Sequence, residues 1–127
     1  MLEWYQPGDQ HHDLMESISD FLACVFHWPR AKKISYQALF ESQLQINPIT
    51  CSLNTLQRLA RQNINIDHIN TFDRDDLMQL LLTHLIEPQL GHTEPLFIYD
   101  YPASQAALAT IDHQQTPPIA QRFELYI

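Results

Sequence analysis

Glycine is almost missing. Only Gly8 and Gly91 occur in 127 residues, so neither a phosphate-cradling P-loop nor a G-x-G-x-x-G turn can form within the chain. Basic residues are also few: 7 Lys+Arg against 15 Asp+Glu give a formal net charge of −8. Their one tight group is Arg30, Lys32 and Lys33. A phosphate backbone is repelled by such a surface, so nucleic acid is not an expected partner. The longest wholly apolar run, residues 21–26, is far short of the roughly 20 residues that cross a bilayer. Met1-Leu2-Glu3 supplies no basic region of a signal peptide. No membrane partner is expected, and the chain reads as cytoplasmic. Cys24 and Cys51 are too few for a disulfide framework; Cys24 lies inside an apolar helical pattern, which suggests a buried thiol. The length suits one domain that buries roughly 65–70% of its unfolded surface.

What is present is patterned. Residues 2–6 form a short aromatic run before Pro7-Gly8, as a strand entering a turn would. From Asp13 to Phe26 the apolar residues Leu14, Ile18, Phe21 and Val25 recur at helical steps, widened by Met15, Leu22 and Phe26, with Pro29 as the stop. Residues 34–44 suggest a second helix capped by Ser35. A third helix is expected from a cap at Ser52 or Asn54 through Arg61. A fourth starts near Asp73 and carries Leu77, Leu80, Leu81 and Ile86, with Asp73, Asp75 and Asp76 favourably placed at its positive end. After Pro88 the run Leu96-Phe97-Ile98-Tyr99 reads as a buried strand, ended by Tyr101-Pro102. Residues 121–127 alternate as a strand does, with Phe123, Leu125 and Ile127 on one face and Arg122, Glu124 and Tyr126 on the other. Strands at 2–6, 96–101 and 121–127 around a helical section at 12–88 give an α+β class, with the end strands expected as neighbours in one antiparallel sheet. Self-contained domains seldom start and stop inside core strands, so an internal fragment of a larger domain is expected.

Several chemical constellations can be built from spacing. His84 and Glu87 are three apart on a helix, and His11-His12 are adjacent, but neither pair brings a third convergent ligand. Surface histidines account for both. A triad around Ser104 lacks a nucleophile elbow. Polar residues inside strand patterns are more informative. Glu3 and Tyr5 share one face of the first strand, and Glu124 and Tyr126 share a face of the last. On a common cleft they would supply two carboxylates and two phenols, able to meet an ammonium group and to coordinate Mg²⁺. The same alternation also fits an antiparallel sheet with one solvated face.

Those segments resemble a known family. Met1-Leu2-Glu3-Trp4-Tyr5 with Pro7 is similar to the M-L-E-W-Y-x-P strand that follows motif 2 in class II lysyl-tRNA synthetase-like proteins. Its Trp form is typical of the elongation factor P–(R)-β-lysine ligases. Glu87-Pro88 with Gly91 continues the match, as does the specific string Pro102-Ala103-Ser104-Gln105-Ala106-Ala107-Leu108-Ala109. Arg122-Phe123-Glu124-Leu125-Tyr126 resembles the family's R-F-E-x-Y strand. The resemblance implies part of a class II synthetase-like fold, and ATP-dependent activation of lysine or (R)-β-lysine to an aminoacyl-adenylate. Transfer to a lysine of elongation factor P would follow, and the full-length family member would be a homodimer. Position by position, Glu3 and Tyr5 would bind the substrate, Glu124 would bind ATP through Mg²⁺, and the Leu125 backbone would lie against the nucleotide.

Departures accompany the match. The family's motif 2 arginine lies before the position of Met1, and its glycine-rich substrate strand and motif 3 arginine lie beyond that of Ile127. Gln6, residues 8–11 and Gln121 also differ from the family pattern. No complete catalytic set falls within residues 1–127. The expectation is a truncated reading frame that begins at the strand's own methionine, whose isolated product shows no lysine-dependent ATP–pyrophosphate exchange. Exchange abolished by Glu124→Ala would count against that inertness. Two alternatives stand beside it: a non-catalytic domain that binds a partner through its acidic helices, or a lysyl-tRNA synthetase fragment, which Trp4 and the P-A-S-Q string disfavour.

Overall fold

A computed structural model describes residues 6–66 and 68–127. The elements run α1 (His11–Phe26), β1 (Lys32–Ser35), α2 (Tyr36–Leu44), α3 (Leu53–Asn63), α4 (Arg74–Leu81), β2 (Leu96–Pro102), β3 (Ile111–Asp112) and β4 (Ile119–Tyr126). The class is α+β. The sheet is mixed rather than antiparallel, in the order β1-β2-β4-β3. Its edge strand β1 runs parallel to β2, Lys32 opposite Leu96 and Ser35 opposite Tyr99. β2 and β4 pair antiparallel, with Ile98 opposite Glu124 and Leu96 opposite Tyr126. Ile34 and Ser35, the last two residues of β1, were expected within the helix over 34–44; Ser35 does cap α2, but Ile34 lies in the strand. Lys32-Lys33-Ile34-Ser35 is short and half polar, and only its pairing with β2 makes it a strand. The expected first strand and its pairing with the last lie outside the described residues, apart from Gln6, which is not in a strand.

Local signals explain the helices. The Ser35 hydroxyl accepts from the Ala38 N–H, and that of Ser52 from the Thr55 N–H, which satisfies donors that each first turn leaves unpaired. Asp73 caps α4 by accepting from the Asp76 N–H, and Asp76 accepts in return from that of Asp73. Beyond Leu81 the chain widens into a single π turn, Leu82–Ile86, before a tight turn at Glu87–Gln89. Leu82 and Ile86 stay buried there.

The main core lies between α2, α3 and α4 and one face of the sheet. Tyr36, Phe40, Leu56, Leu77, Leu81, Ile86, Ile98, Tyr101 and Ala120 are buried in one cluster. Tyr36 stacks on Phe40 and leans on Tyr101, both with centroids 4.8 Å apart. Met15, Leu22 and Phe97 are buried outside that cluster. Phe97 meets Phe123 edge-on at 5.5 Å. Of the expected stripe, Met15 and Leu22 are buried, with Ser19 between them, while Leu14 and Ile18 are half-buried. Phe21, Val25 and Phe26 are exposed. Ser19 belongs on the buried side because its hydroxyl accepts from the Ala31 N–H at 2.9 Å. Cys24 is exposed, which corrects its reading as a buried thiol; it lies on the turn of α1 that the core does not cover.

Gly91 has a defined role. With φ +73°, it lets the chain pass the end of β4, where a Cβ would stand 2.8 Å from the backbone nitrogen of Ile127.

Candidate functional site

Period-two alternation on β4 puts Arg122, Glu124 and Tyr126 on one face. Tyr126 is packed against the main core, so this face meets the helical layer rather than open solvent. Arg122 is fixed three ways. It donates to the carbonyl of Gln105 at 2.8 Å, its guanidinium lies 4.6 Å above the Tyr101 ring, and it donates to Glu124. The Glu124 side chain remains 39% exposed. Its second oxygen is 3.1 Å from the Tyr126 hydroxyl, which also lies 2.9 Å from a Glu87 oxygen. The tight turn that follows the π turn carries Glu87 to this place.

The phenols remain protonated at neutral pH. Burial pushes the Tyr126 hydroxyl well above its ordinary value, reinforced by Tyr101 and the hydrogen bond to Glu87. Burial raises Tyr101 too, with the Glu124 charge adding to it, and raises Tyr36. The hydroxyl of Tyr101 faces Tyr126 and Glu124, and that of Tyr36 faces Gln105. Neither makes a hydrogen bond of good geometry.

Tyr126 has a single proton for two carboxylate neighbours. The two carboxylates share it, each within hydrogen-bond distance of the one hydroxyl. Such a cluster suits a hard divalent cation, which takes carboxylate oxygens as ligands. Glu124 and Glu87 place carboxylate oxygens of that kind on one hydroxyl. Next to it, Asp75, Asp76, Gln79, Gln105, Ala107 and Arg122 line an open groove of about 330 Å³. The β4 edge is covered by β3 only at Ile119 and Ala120. Among the described residues, Leu125 has a strand partner on one side alone, Phe97 of β2.

Of the residues singled out from sequence, Glu124, Leu125 and Tyr126 fall here together. Glu3 and Tyr5 lie outside the described residues. Ser104 donates to Asp75 at 2.8 Å, tying the segment after β2 to α4. His84 is exposed, while Glu87 turns to Tyr126. The reading of His11-His12 needs correction, because a third donor does converge on them: Asp100 joins both, with ligand atoms all within 4.8 Å of one another. Arg30, Lys32 and Lys33 form no free basic patch. Arg30 pairs with Glu16 and Asp20, Lys33 with Glu16, and Lys32 with Glu94. No helix among the described residues is long and apolar enough to cross a membrane.

The roles of Arg122 and Glu87 were not read from sequence. Alternation along β4 could have indicated Arg122, which shares the face of Glu124. Nothing local could have indicated Glu87, which meets Tyr126 across 39 positions.

No protein-family profile matches the chain. Among curated proteins, it is 42% identical over 128 residues to the elongation factor P–(R)-β-lysine ligase of Pseudoalteromonas translucida, covering 99% of this chain and 39% of that one. It is 40% identical over 127 residues to the protein of the same name from Photobacterium profundum, again covering 99% and 39%. The Histophilus somni ligase is 38% identical over 129 residues, covering 99% and 38%. The chain thus spans about 39% of the length of the first of these relatives. The resemblance read from the motifs holds over nearly the whole chain.

Proposed function

We propose that these residues form part of the catalytic region of a ligase that activates lysine or (R)-β-lysine with ATP and Mg²⁺ and passes it to elongation factor P. One observation carries the reading. The chain is 38–42% identical to ligases of that name across 99% of its length. The Arg122–Glu124–Tyr126–Glu87 cluster gives it chemical content. Glu124 is anchored on one oxygen by Arg122 and oriented on the other by Tyr126, with enough of its surface open to meet a ligand. In this reading Glu124, with Glu87 beside it, holds Mg²⁺ delivered with ATP. The Leu125 backbone, which pairs with Phe97 on one side, would face the nucleotide from the other. Held there, Mg²⁺ would supply positive charge against the charge that develops on the departing pyrophosphate. Arg122 keeps the carboxylate from swinging into solvent, and the neutral phenol of Tyr126 holds its second oxygen in place. Glu3 and Tyr5, outside the described residues, would take the substrate ammonium, and a class II synthetase-like homodimer belongs to the same proposal.

The test is a chimera in which residues 1–127 replace the matching segment of the Photobacterium ligase. Lysine- or (R)-β-lysine-dependent ATP–pyrophosphate exchange is expected, falling by roughly 10²–10³-fold in Glu124→Ala. A folded chimera without exchange, or one indifferent to Glu124→Ala, overturns the assignment.

A further inference from the structure

On the α1 side of the sheet, His11, His12 and Asp100 converge. Consecutive helical residues normally diverge by about 100° around the axis. Here the two rings sit in the first turn of α1, with centroids 4.2 Å apart and planes inclined by 39°. The His12 ring rests edge-on against Tyr99 at 5.0 Å, which holds it toward the strand. Asp100 reaches them because β2 is irregular there. Its register shifts between Tyr99 and Tyr101, and Asp100 takes φ +57°, a left-handed conformation that L residues seldom adopt. A strained backbone that delivers a carboxylate to two imidazoles is the kind of feature that accompanies a site.

A second observation concerns His11 itself. Its side chain is only 9% exposed, and its Nδ1 is buried without a hydrogen-bond partner among the described residues. Its Nε2 stands 3.0 Å from Oδ1 of Asp100. With Nε2 taken up by Asp100, Nδ1 is the His11 nitrogen left for a ligand. A metal-bound imidazole commonly gives the proton of its other nitrogen to a carboxylate, and Asp100 stands in that place beside Nε2.

The geometry points to a divalent transition-metal site formed by His11, His12 and Asp100, with zinc as the natural occupant. Two imidazoles and a carboxylate are the borderline donors that Zn²⁺ takes in four-coordinate sites, and Co²⁺ accepts the same set. His12 and the partly open Asp100 side chain, 22% exposed, leave a route for the ion and a position for water. The ion ties the first turn of α1 to the irregular point of β2. It is separate from the Glu124 cluster: Tyr99, which contacts His12, stands opposite Phe123 of β4, whereas Glu124 stands opposite Ile98.

The test titrates the purified, metal-free chain with Co²⁺ alone and follows visible absorption. A band that saturates at one ion per chain and is displaced by Zn²⁺ is expected. In His12→Ala, whose exposed side chain can be removed with little loss of packing, affinity should fall by roughly tenfold or more. Asp100→Asn keeps the shape and removes the charge, so it should weaken binding similarly even if the histidine variant folds poorly. His84→Ala should leave the titration unchanged. Absence of a one-to-one band overturns the proposal. So does a band that survives both His12→Ala and Asp100→Asn at wild-type strength, which would mark unspecific capture by surface histidines.

Discussion

The two faces of the sheet are held in different ways. Under α2, α3 and α4 the face is sealed by a continuous apolar cluster, and its polar residues are mutually engaged: Arg122 with Glu124, and Tyr126 with both Glu124 and Glu87. Under α1 the cover is thinner. Met15, Leu22 and Phe97 are buried, yet Phe21, Val25 and Phe26 of the same helix are exposed, and a buried His11 nitrogen has no partner among the described residues. Dense packing does not by itself satisfy polar groups, since the Tyr36 and Tyr101 hydroxyls of the sealed face are also buried without a hydrogen bond among the described residues, at about 1–3 kcal/mol each. What sets the α1 face apart is that its unpartnered nitrogen stands beside two further donor residues, His12 and Asp100. The first face thus offers a preorganised carboxylate, and the second an incomplete set of donors.

Variants can break or sharpen this contrast. The largest effect is expected from Phe40→Ala, which empties the centre of the sealed face and should lower unfolding free energy by about 3–5 kcal/mol in urea titrations. Leu22→Ala, at the rim of the α1 face, should cost about 2 kcal/mol, because solvent can refill the space. Equal losses at the two positions would erase the distinction. Gly91→Ala should cost about 2 kcal/mol, since it adds a methyl group against the Ile127 backbone at a positive φ. Tyr126→Phe should cost about 1–2 kcal/mol by leaving Glu87 and Glu124 without their shared donor. The smallest effect concerns pH. Lys33, and after it Arg30, hold the exposed Glu16 carboxyl below its ordinary value of 4.5. A depressed carboxylate stabilises the fold above its unfolded pKa, and that contribution is lost as pH falls through the folded value. The gap between wild type and Glu16→Gln should therefore be present at neutral pH and close below about 4.5 in acid denaturation curves.

Residues whose roles depend on their neighbours in sequence were legible. The caps at Ser35, Ser52 and Asp73 follow from short polar side chains that precede apolar runs. The common face of Arg122, Glu124 and Tyr126 follows from strand alternation. Helix α1 was legible as a helix, its inward face only in part. The broad apolar stripe contained Met15 and Leu22, but not the buried Ser19, which accepts from the Ala31 N–H. β1 escaped notice because its Lys-Lys-Ile-Ser sequence has little strand character without β2 alongside. The pairs at the two candidate sites, Glu87 with Tyr126 and His11 with Asp100, are 39 and 89 residues apart in sequence. No local pattern encodes such contacts.

The central claim is tested most directly by the mass of elongation factor P after incubation with the chimeric ligase, ATP, Mg²⁺ and (R)-β-lysine. The proposed function predicts a gain of one β-lysyl group, lost when the chimera carries Glu124→Ala. A folded chimera that leaves elongation factor P unmodified, where the parent ligase modifies it, would contradict the account.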